Sequence, residues 1–294
     1  MEHKSLTIFT PTFNRVHTLP LLYESLRIQT CKDFRWVIVD DGSTDRTSSV
    51  VEKWIEEKLV DIEYHFQENS GKMAAHNFAV DKSDTEWFMC LDSDDRLADE
   101  DTVADCLDFF RQADSEDICG IISYKSFGSG HNVFPKGMEK VHLEELRRAG
   151  YMGELVMTMK TSILKKHKFP KFGNEKFVTD SFLYERLDKD FSFALMDRVV
   201  QICQYNPDGY SYNYRQILFS NPQGYRAYHN QRIALGFSGK IKSAICYDAI
   251  SVRMGFKGFF ADAAAPFLYL AMLPAGVVKY LLDSLHLRTF RSLS

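Results

Sequence analysis

No Gly-x-Gly-x-x-Gly follows the first strand-like run, which disfavours a dinucleotide-binding dehydrogenase. A Gly-x-x-x-x-Gly-Lys-Ser/Thr loop is also missing, which removes the common NTPase reading. Six cysteines (Cys31, Cys90, Cys106, Cys119, Cys203, Cys246) are scattered without a Cys-x-x-Cys pair. Most sit in apolar runs, so buried thiols in a reducing cytosol are expected rather than a disulfide framework or a zinc site. There is no internal repeat and no low-complexity linker. The opening residues, Met1-Glu-His-Lys-Ser-Leu6, enter a strand-like run directly and carry no signal-peptide pattern. Nor is there a clean apolar run of the roughly 20 residues that a membrane-spanning helix needs. Residues 263–278 hold no charge, but Pro266 and Pro274 are expected to break that stretch.

The net charge of −4 hides an asymmetry. Residues 1–224 carry 27 Lys/Arg against 37 Asp/Glu, whereas 225–294 carry 9 against 3. An acidic body with a basic tail argues against nucleic-acid binding and for a tail that meets something anionic. At 294 residues the chain can bury a substantial core.

Strand-like and helix-like runs alternate. Strands are expected at 6–11, 35–40, 62–66, 87–91 and 118–124, and later at 154–160 and 199–205. Helices are expected at 19–29 with Thr18 as cap, around Val50, Val51, Trp54 and Ile55, and from Asn69-Ser-Gly71-Lys72 with Met73, Asn77 and Val80 facing inward. Others are expected from Asp99 with Val103, Leu107 and Phe110, at 142–149 and 162–167, and after Thr179 or Asp180. This alternation predicts an α/β fold with a mostly parallel sheet covered by helices on both faces. Ligands of such sheets bind beyond the carboxyl ends of the strands. Pro11–Arg15, Asp40–Asp45 and Asp92–Asp95 all fall there.

The densest chemistry is Trp87-Phe-Met-Cys-Leu-Asp92-Ser93-Asp94-Asp95, an apolar run that ends in three carboxylates. Acids crowded at a buried strand mouth repel one another and lose hydration, a cost that a hard divalent cation shared with ligand phosphates would offset. A solvated acidic turn is the alternative. An EF-hand register is excluded by Arg96, Leu97 and Val103. Asp40-Asp41-Gly42-Ser43 suits either a base- and ribose-binding turn or a helix-capping turn. Gly71 and Lys72 at a helix start suit either a diphosphate or a capped helix with a solvated lysine. Asp180 suits either a general base or an N-cap.

Pro11-Thr-Phe-Asn-Arg15, Val39-Asp-Asp-Gly-Ser-Thr-Asp45, Asn69-x-Gly71 through Ala75-x-Asn77 and Leu91-Asp-Ser-Asp-Asp95 occur in this order. Together they resemble the inverting glycosyltransferase family 2, which has the GT-A (Rossmann-like) fold. The resemblance is specific over about residues 5–100 and continues more loosely through Asp180 and Arg186 to Tyr212. It implies a catalytic domain over 1–220, with a nucleotide-sugar half (1–125) and an acceptor half (126–220), followed by a C-terminal helical region (221–294). It implies a nucleotide-sugar donor, a UDP-sugar in the first instance, held by Pro11, Thr12, Asn14, Arg15, Asp40, Asp41, Asn69, Gly71, Lys72, Asp92 and Ser93. Asp41 would meet the base, with Asp40 near the ribose or one layer behind it. Asp92 would touch the donor sugar or ribose, and Asp94 would ligate Mn²⁺ or Mg²⁺ on the diphosphate. The family's usual Glu-Asp pair is here Thr179-Asp180, with Arg186 six positions later, which makes Asp180 the base.

The implied activity is inverting transfer of a sugar to a hydroxyl of a glycan or lipid-linked glycan in cell-envelope polysaccharide synthesis. A sugar-phosphate nucleotidyltransferase and a non-catalytic membrane-associated scaffold with the same fold are the competing readings. The apolar stretch 259–282 leaves two expectations: helices packed on the body, or an amphipathic hairpin in the membrane interface. Nearby Arg253, Lys257, Lys279, Arg288 and Arg291 weigh toward a protein attached peripherally to the inner face of the cell membrane. His229 is a candidate for closing a metal shell, though a packed helix histidine is the simpler reading. The tyrosines between Tyr205 and Tyr228 can stack on sugar rings or simply pack a lid.

Overall fold

A computed structural model describes residues 4–127, 132–151, 153–203 and 213–291, with side chains to residue 285. The turn-rich loop 206–213 falls almost wholly outside the described residues, as do Tyr205, Tyr210, Tyr212 and the side chains of Arg288 and Arg291. The chain forms two compact units, Met1–Lys168 with Leu187–Asn206, and Phe169–Arg186 with Pro207–Ser294.

The first unit runs β1 (Leu6–Thr12), α1 (Leu19–Arg27), β2 (Phe34–Asp40), α2 (Thr47–Glu57), β3 (Ile62–Phe66), α3 (Lys72–Lys82), β4 (Trp87–Cys90), β5 (Arg96–Leu97), α4 (Thr102–Ala113) and β6 (Ile118–Ser126). It continues with β7 (Lys140–Val141), α5 (Leu143–Arg148), β8 (Leu155–Lys160) and α6 (Thr161–Lys166). After α7 (Ser181–Leu187), β9 (Ser192–Ile202) returns to the sheet. The strand order is β3-β2-β1-β4-β8-β6-β9-β5, with β7 against β9. From β3 to β4 every ladder is parallel, so the carboxyl ends of β1, β2 and β4 share one edge. Beyond β4 the sheet is mixed, because β8 lies antiparallel to both β4 and β6.

The parallel half follows from its sequence. Leu6, Ile8, Phe9, Trp36, Val37, Ile38, Val39, Trp87, Phe88 and Met89 are all buried, the continuous apolar pattern of strands covered on both faces. Tyr23 stacks on Trp54 at 4.3 Å, and Trp36 Nε1 donates to Thr10 Oγ1 at 2.9 Å, so the large rings keep their polar atoms paired.

Several local expectations are corrected. Thr18 occupies the N-cap position of α1, but its hydroxyl donates back to the Arg15 carbonyl, and Pro20 in the first turn removes one orphan donor instead. On α3 the buried residues are Met73, Ala75, His76, Ala79 and Val80, and Asn77 is only half-buried. His76 packs edge-on against Phe9 and Phe88, and burial followed by Lys72 lowers its pKa to about 3. β9 begins at Ser192 rather than residue 199. Asp197 and Arg198 mask it in the sequence; they are held by Tyr124 Oη and by Asp99 and Asp105, respectively.

The second unit contains α7 up to Arg186, α8 (Tyr214–Ser220), α9 (Pro222–Ala234), α10 (Lys240–Arg253) and α11 (Pro266–Arg291). Contrary to the expected break, α11 is one helix of 26 residues. Pro266 is its first residue, where a missing N–H costs nothing, and Pro274 lies inside it. Tyr269 stacks on Tyr247 of α10 at 4.0 Å and donates to Asn230 Oδ1 of α9 at 2.7 Å. A Cβ at Gly276 would lie 2.3 Å from Asp248 Cβ, so only glycine permits this approach of α11 to α10.

Asp248 itself is 0 % exposed, and among the described residues neither carboxylate oxygen has a hydrogen-bond partner. Burial alone raises its pKa to about 7. The folded state therefore holds a proton that the unfolded chain has released, and stability falls as pH rises from the unfolded value toward 7. Between about pH 5 and about pH 7 the loss should be about 2 kcal/mol, levelling off above. Urea midpoints of wild type and Asp248→Asn across that range check this: the difference between them should grow with pH in favour of Asn. A constant difference would remove the titration.

Candidate functional site

The edge formed by the carboxyl ends of β1, β2 and β4 gathers most of the residues singled out in the sequence. Asn14 adopts a left-handed conformation (φ 54°) after β1. Its backbone N–H donates to Ser43 Oγ at 2.8 Å, and its side-chain oxygen accepts from Thr44 N at 2.8 Å, tying the turn after β1 to the turn after β2. Asp45 extends the tie by accepting from Val16 N and from Thr47. Although burial would raise its pKa, those hydrogen bonds hold the Asp45 carboxyl below the usual carboxylate range.

Asp40 and Asp41 are both buried. Asp40 accepts from Ser43 N at 2.7 Å and from Tyr64 Oη at 2.7 Å, and burial together with this carboxylate pushes the Tyr64 phenol up. Asp41 accepts from Gln67 Nε2 (2.7 Å), Ser70 N (2.7 Å) and Gly71 N (2.8 Å), so it holds the amides that lead into α3. Three of roughly four lone-pair positions are thereby used. Gly42 (φ +89°) lets this turn press on Asn69, whose backbone nitrogen would lie 3.0 Å from an added Cβ. Pro11 and Thr12 pair with Val39 and Asp40, and the Thr12 carbonyl accepts from Asp41 N at 2.8 Å. The buried Thr12 hydroxyl has no hydrogen-bond partner among the described residues. Arg15 is half-buried and its carbonyl accepts from Thr18 N and Leu19 N.

At the end of β4 the acids are not left uncompensated. Lys72, at the start of α3, pairs with Asp92 at 2.8 Å, and Lys125 of β6 pairs with Asp95 at 2.8 Å. Burial opposes ionisation of Asp92, yet Lys72 and Lys125 outweigh it and hold its carboxyl below the usual range. Burial pushes Asp95 up against the pull of Lys125. The ammonium of Lys125 is raised by Asp92 and Asp95 despite its own burial. Two lysines thus supply countercharge to Asp92 and Asp95, so these two acids are held without a metal cation. Lys125, Gln67 and Tyr64 were missed in the sequence, and a lone lysine closing the apolar run of β6 was the available signal.

Ser93 is buried and Asp94 half-buried. Among the described residues no three His, Cys, Asp or Glu side chains converge on a common metal position. A cation that arrives with a diphosphate needs only one or two protein carboxylates, and Asp94 beside the lysine-paired acids fits that limited role.

Asp180 lies in the second unit. Its carbonyl accepts from Leu183 N at 3.1 Å at the start of α7, while the residue as a whole is exposed, so its side chain is reachable. Nearby in sequence, Glu175 accepts from Gln223 N and Gly224 N at 2.8 Å each, and the fully buried Glu185 pairs with Arg232. His229 is buried in α9 between Tyr225 and Tyr228, and burial followed by Arg232 lowers its pKa to about 3. It is a packed helix histidine.

The parallel half of the sheet ends in acid-bearing turns and lysine-balanced carboxylates, and open α/β sheets bind their ligands beyond this carboxyl edge. The family model described as glycosyl transferase family 2 matches residues 7–176, and the chain belongs to that family. Over 94 residues (32% of this chain, 13% of that protein) it is 36% identical to a teichoic acid poly(glycerol phosphate) polymerase of Staphylococcus epidermidis. Over 200 residues (65% and 62%) it is 28% identical to the GalNAc(5)-diNAcBac-PP-undecaprenol beta-1,3-glucosyltransferase of Campylobacter jejuni. The chain thus spans less than two thirds of these relatives. S. aureus TarS 1-349 in complex with UDP superposes with a TM-score of 0.60 at 16% identity, covering 97% of this chain and 91% of that one. Mannosyltransferase PcManGT from Pyrobaculum calidifontis, in complex with GDP-Man and Mn²⁺, gives 0.56 at 18% identity, covering 96% and 88%. At these identities the two structures establish the GT-A fold.

Proposed function

We propose that the chain transfers a sugar from a UDP-sugar to a hydroxyl of a glycan or lipid-linked glycan, with inversion, in cell-envelope polysaccharide synthesis. The observation that carries this reading is the shared strand edge, where the turns after β1 and β2, the start of α3 and the Asp92–Asp95 acids meet. In this reading the turn residues Pro11, Thr12, Asn14 and Arg15 line the nucleotide pocket, Asp41 meets the base with its remaining acceptor capacity, and Asp40 braces the turn. The Thr12 hydroxyl, without a hydrogen-bond partner among the described residues, offers a hydrogen bond to the nucleotide. Asn69 and Gly71, the latter tied to Asp41 through its N–H, lead the chain into the N-terminus of α3, an end favourable for a diphosphate. Lys72 exchanges Asp92 for a phosphate oxygen, which frees Asp92 and the neighbouring Ser93 for the donor sugar or ribose.

Asp94 would hold a Mn²⁺ or Mg²⁺ ion, which when bound offsets charge on the departing diphosphate. Asp180 takes the proton of the acceptor hydroxyl as that oxygen attacks the anomeric carbon opposite the nucleotide. A single displacement inverts the centre and needs no second nucleophilic carboxylate. The undecaprenol-linked substrate named for the Campylobacter relative supports a lipid-linked acceptor, and with it a peripheral position on the inner face of the cell membrane.

UDP release from a panel of UDP-sugars with Mn²⁺ tests the reading. Wild type should release UDP, and Asp94→Ala should lower turnover about 10²-fold or more. Release of pyrophosphate from a sugar phosphate and NTP would instead establish a nucleotidyltransferase, and donor binding without turnover would indicate a scaffold.

A further inference from the structure

Helix α11 is amphipathic the wrong way round for a helix in water. Every exposed residue between 266 and 285 is apolar. Phe267, Leu270, Val278, Leu281, Leu282 and Leu285 recur at helical spacing on one side, with Phe267 87 % exposed. The two charges of this stretch, Lys279 and Asp283, sit half-buried on the other side and pair with each other at 2.6 Å. Tyr269 and Gly276, the residues seated on α10, share that polar side. The segment Pro266–Leu285 has a mean hydropathy of 1.3, and only Tyr269 and Gly276 within it are buried, so it is not the core helix of the unit.

From these observations we infer that α11 is a monotopic membrane anchor. It lies along the bilayer surface with its outer stripe among the upper acyl chains and its polar side held on α10. The inference rests on the membrane-surface reading above and names the surface that makes the contact. Over residues 267–285 the stripe is about 27 Å long. Its exposed positions offer no side-chain donor or acceptor, whereas protein–protein contacts surround their apolar core with a polar rim and carry about one hydrogen bond per 100–200 Å². Residues 225–294 carry 9 Lys/Arg against 3 Asp/Glu, which complements anionic lipid. Spanning the bilayer instead would strip Tyr269 from Tyr247 and Gly276 from Asp248, and would carry Lys279 and Asp283 into hydrocarbon.

The test is sedimentation of the full chain with vesicles of phosphatidylcholine, alone or mixed with phosphatidylglycerol. Binding to both is expected, tighter with phosphatidylglycerol. Leu281→Glu and Phe267→Glu, both at exposed positions, should each weaken binding about tenfold or more. UDP release in solution with a soluble acceptor should stay at the wild-type level, which separates failure of the anchor from failure of the transferase reading. Tryptophan emission from Leu281→Trp should be quenched by brominated acyl chains. The inference is overturned by wild type that ignores both vesicles, by undiminished binding of the Glu variants, or by a concentration-dependent dimer that Leu281→Glu dissolves without any vesicle binding. Labelling of cysteines placed at Ala265 and Leu285 from opposite faces of a vesicle would overturn it in favour of a spanning helix.

Discussion

Asp180→Asn should lower sugar transfer about 10²–10⁴-fold, the range for losing a positioned general base. The substitution keeps size and hydrogen-bonding shape but removes the basic electron pair. Because Asp180 is exposed and contributes to α7 through its carbonyl, little stability should be lost. The informative pattern is therefore a fall in kcat with donor KM and thermal midpoint unchanged. A helix-capping role alone would do the reverse, lowering the midpoint by about 1 kcal/mol equivalent and sparing kcat. Turnover of the Asn variant within a few-fold of wild type would remove Asp180 from the chemistry while leaving the donor site intact.

Lys125→Met should destabilise the first unit by about 3–5 kcal/mol, the cost of leaving a buried charge without its partner. Asp95 is only 5% exposed, and Lys125 approaches it at 2.8 Å from β6, a strand well separated from the acids in sequence. Removing the ammonium also deprives Asp92 of one of the two cations that keep it ionised. The double variant Lys125→Met with Asp95→Leu should recover most of the loss, because a paired buried charge replaced by apolar volume is close to neutral. Urea unfolding of the single and double variants measures this. A single variant within about 1 kcal/mol of wild type would show that the pair is solvated and energetically minor.

The contrast between these residues shows what kind of information each level holds. The strands β1, β2 and β4 were legible because burial on both faces leaves an uninterrupted apolar run, and the turn residues follow immediately in the chain. The α/β class and its family resemblance needed nothing more than local patterns in order. β9 was misjudged over its first seven residues because the Asp197–Arg198 interruption looks like a loop until Tyr124, Asp99 and Asp105 are brought beside it.

By itself, then, the amino-acid order determined which segments become strands, which turns crown them and which acids crowd the end of β4, since each depends on neighbours a few residues apart. Tertiary structure alone decided that Lys72 and Lys125 neutralise those acids, that Asp41 holds the entry to α3, and that β8 runs antiparallel between β4 and β6. It also decided which side of α11 meets α10 and which side is left bare. The reason is geometric: an ion pair or a packed face joins residues far apart in the chain, and an almost wholly apolar helix carries no mark of its own to say which side will be covered.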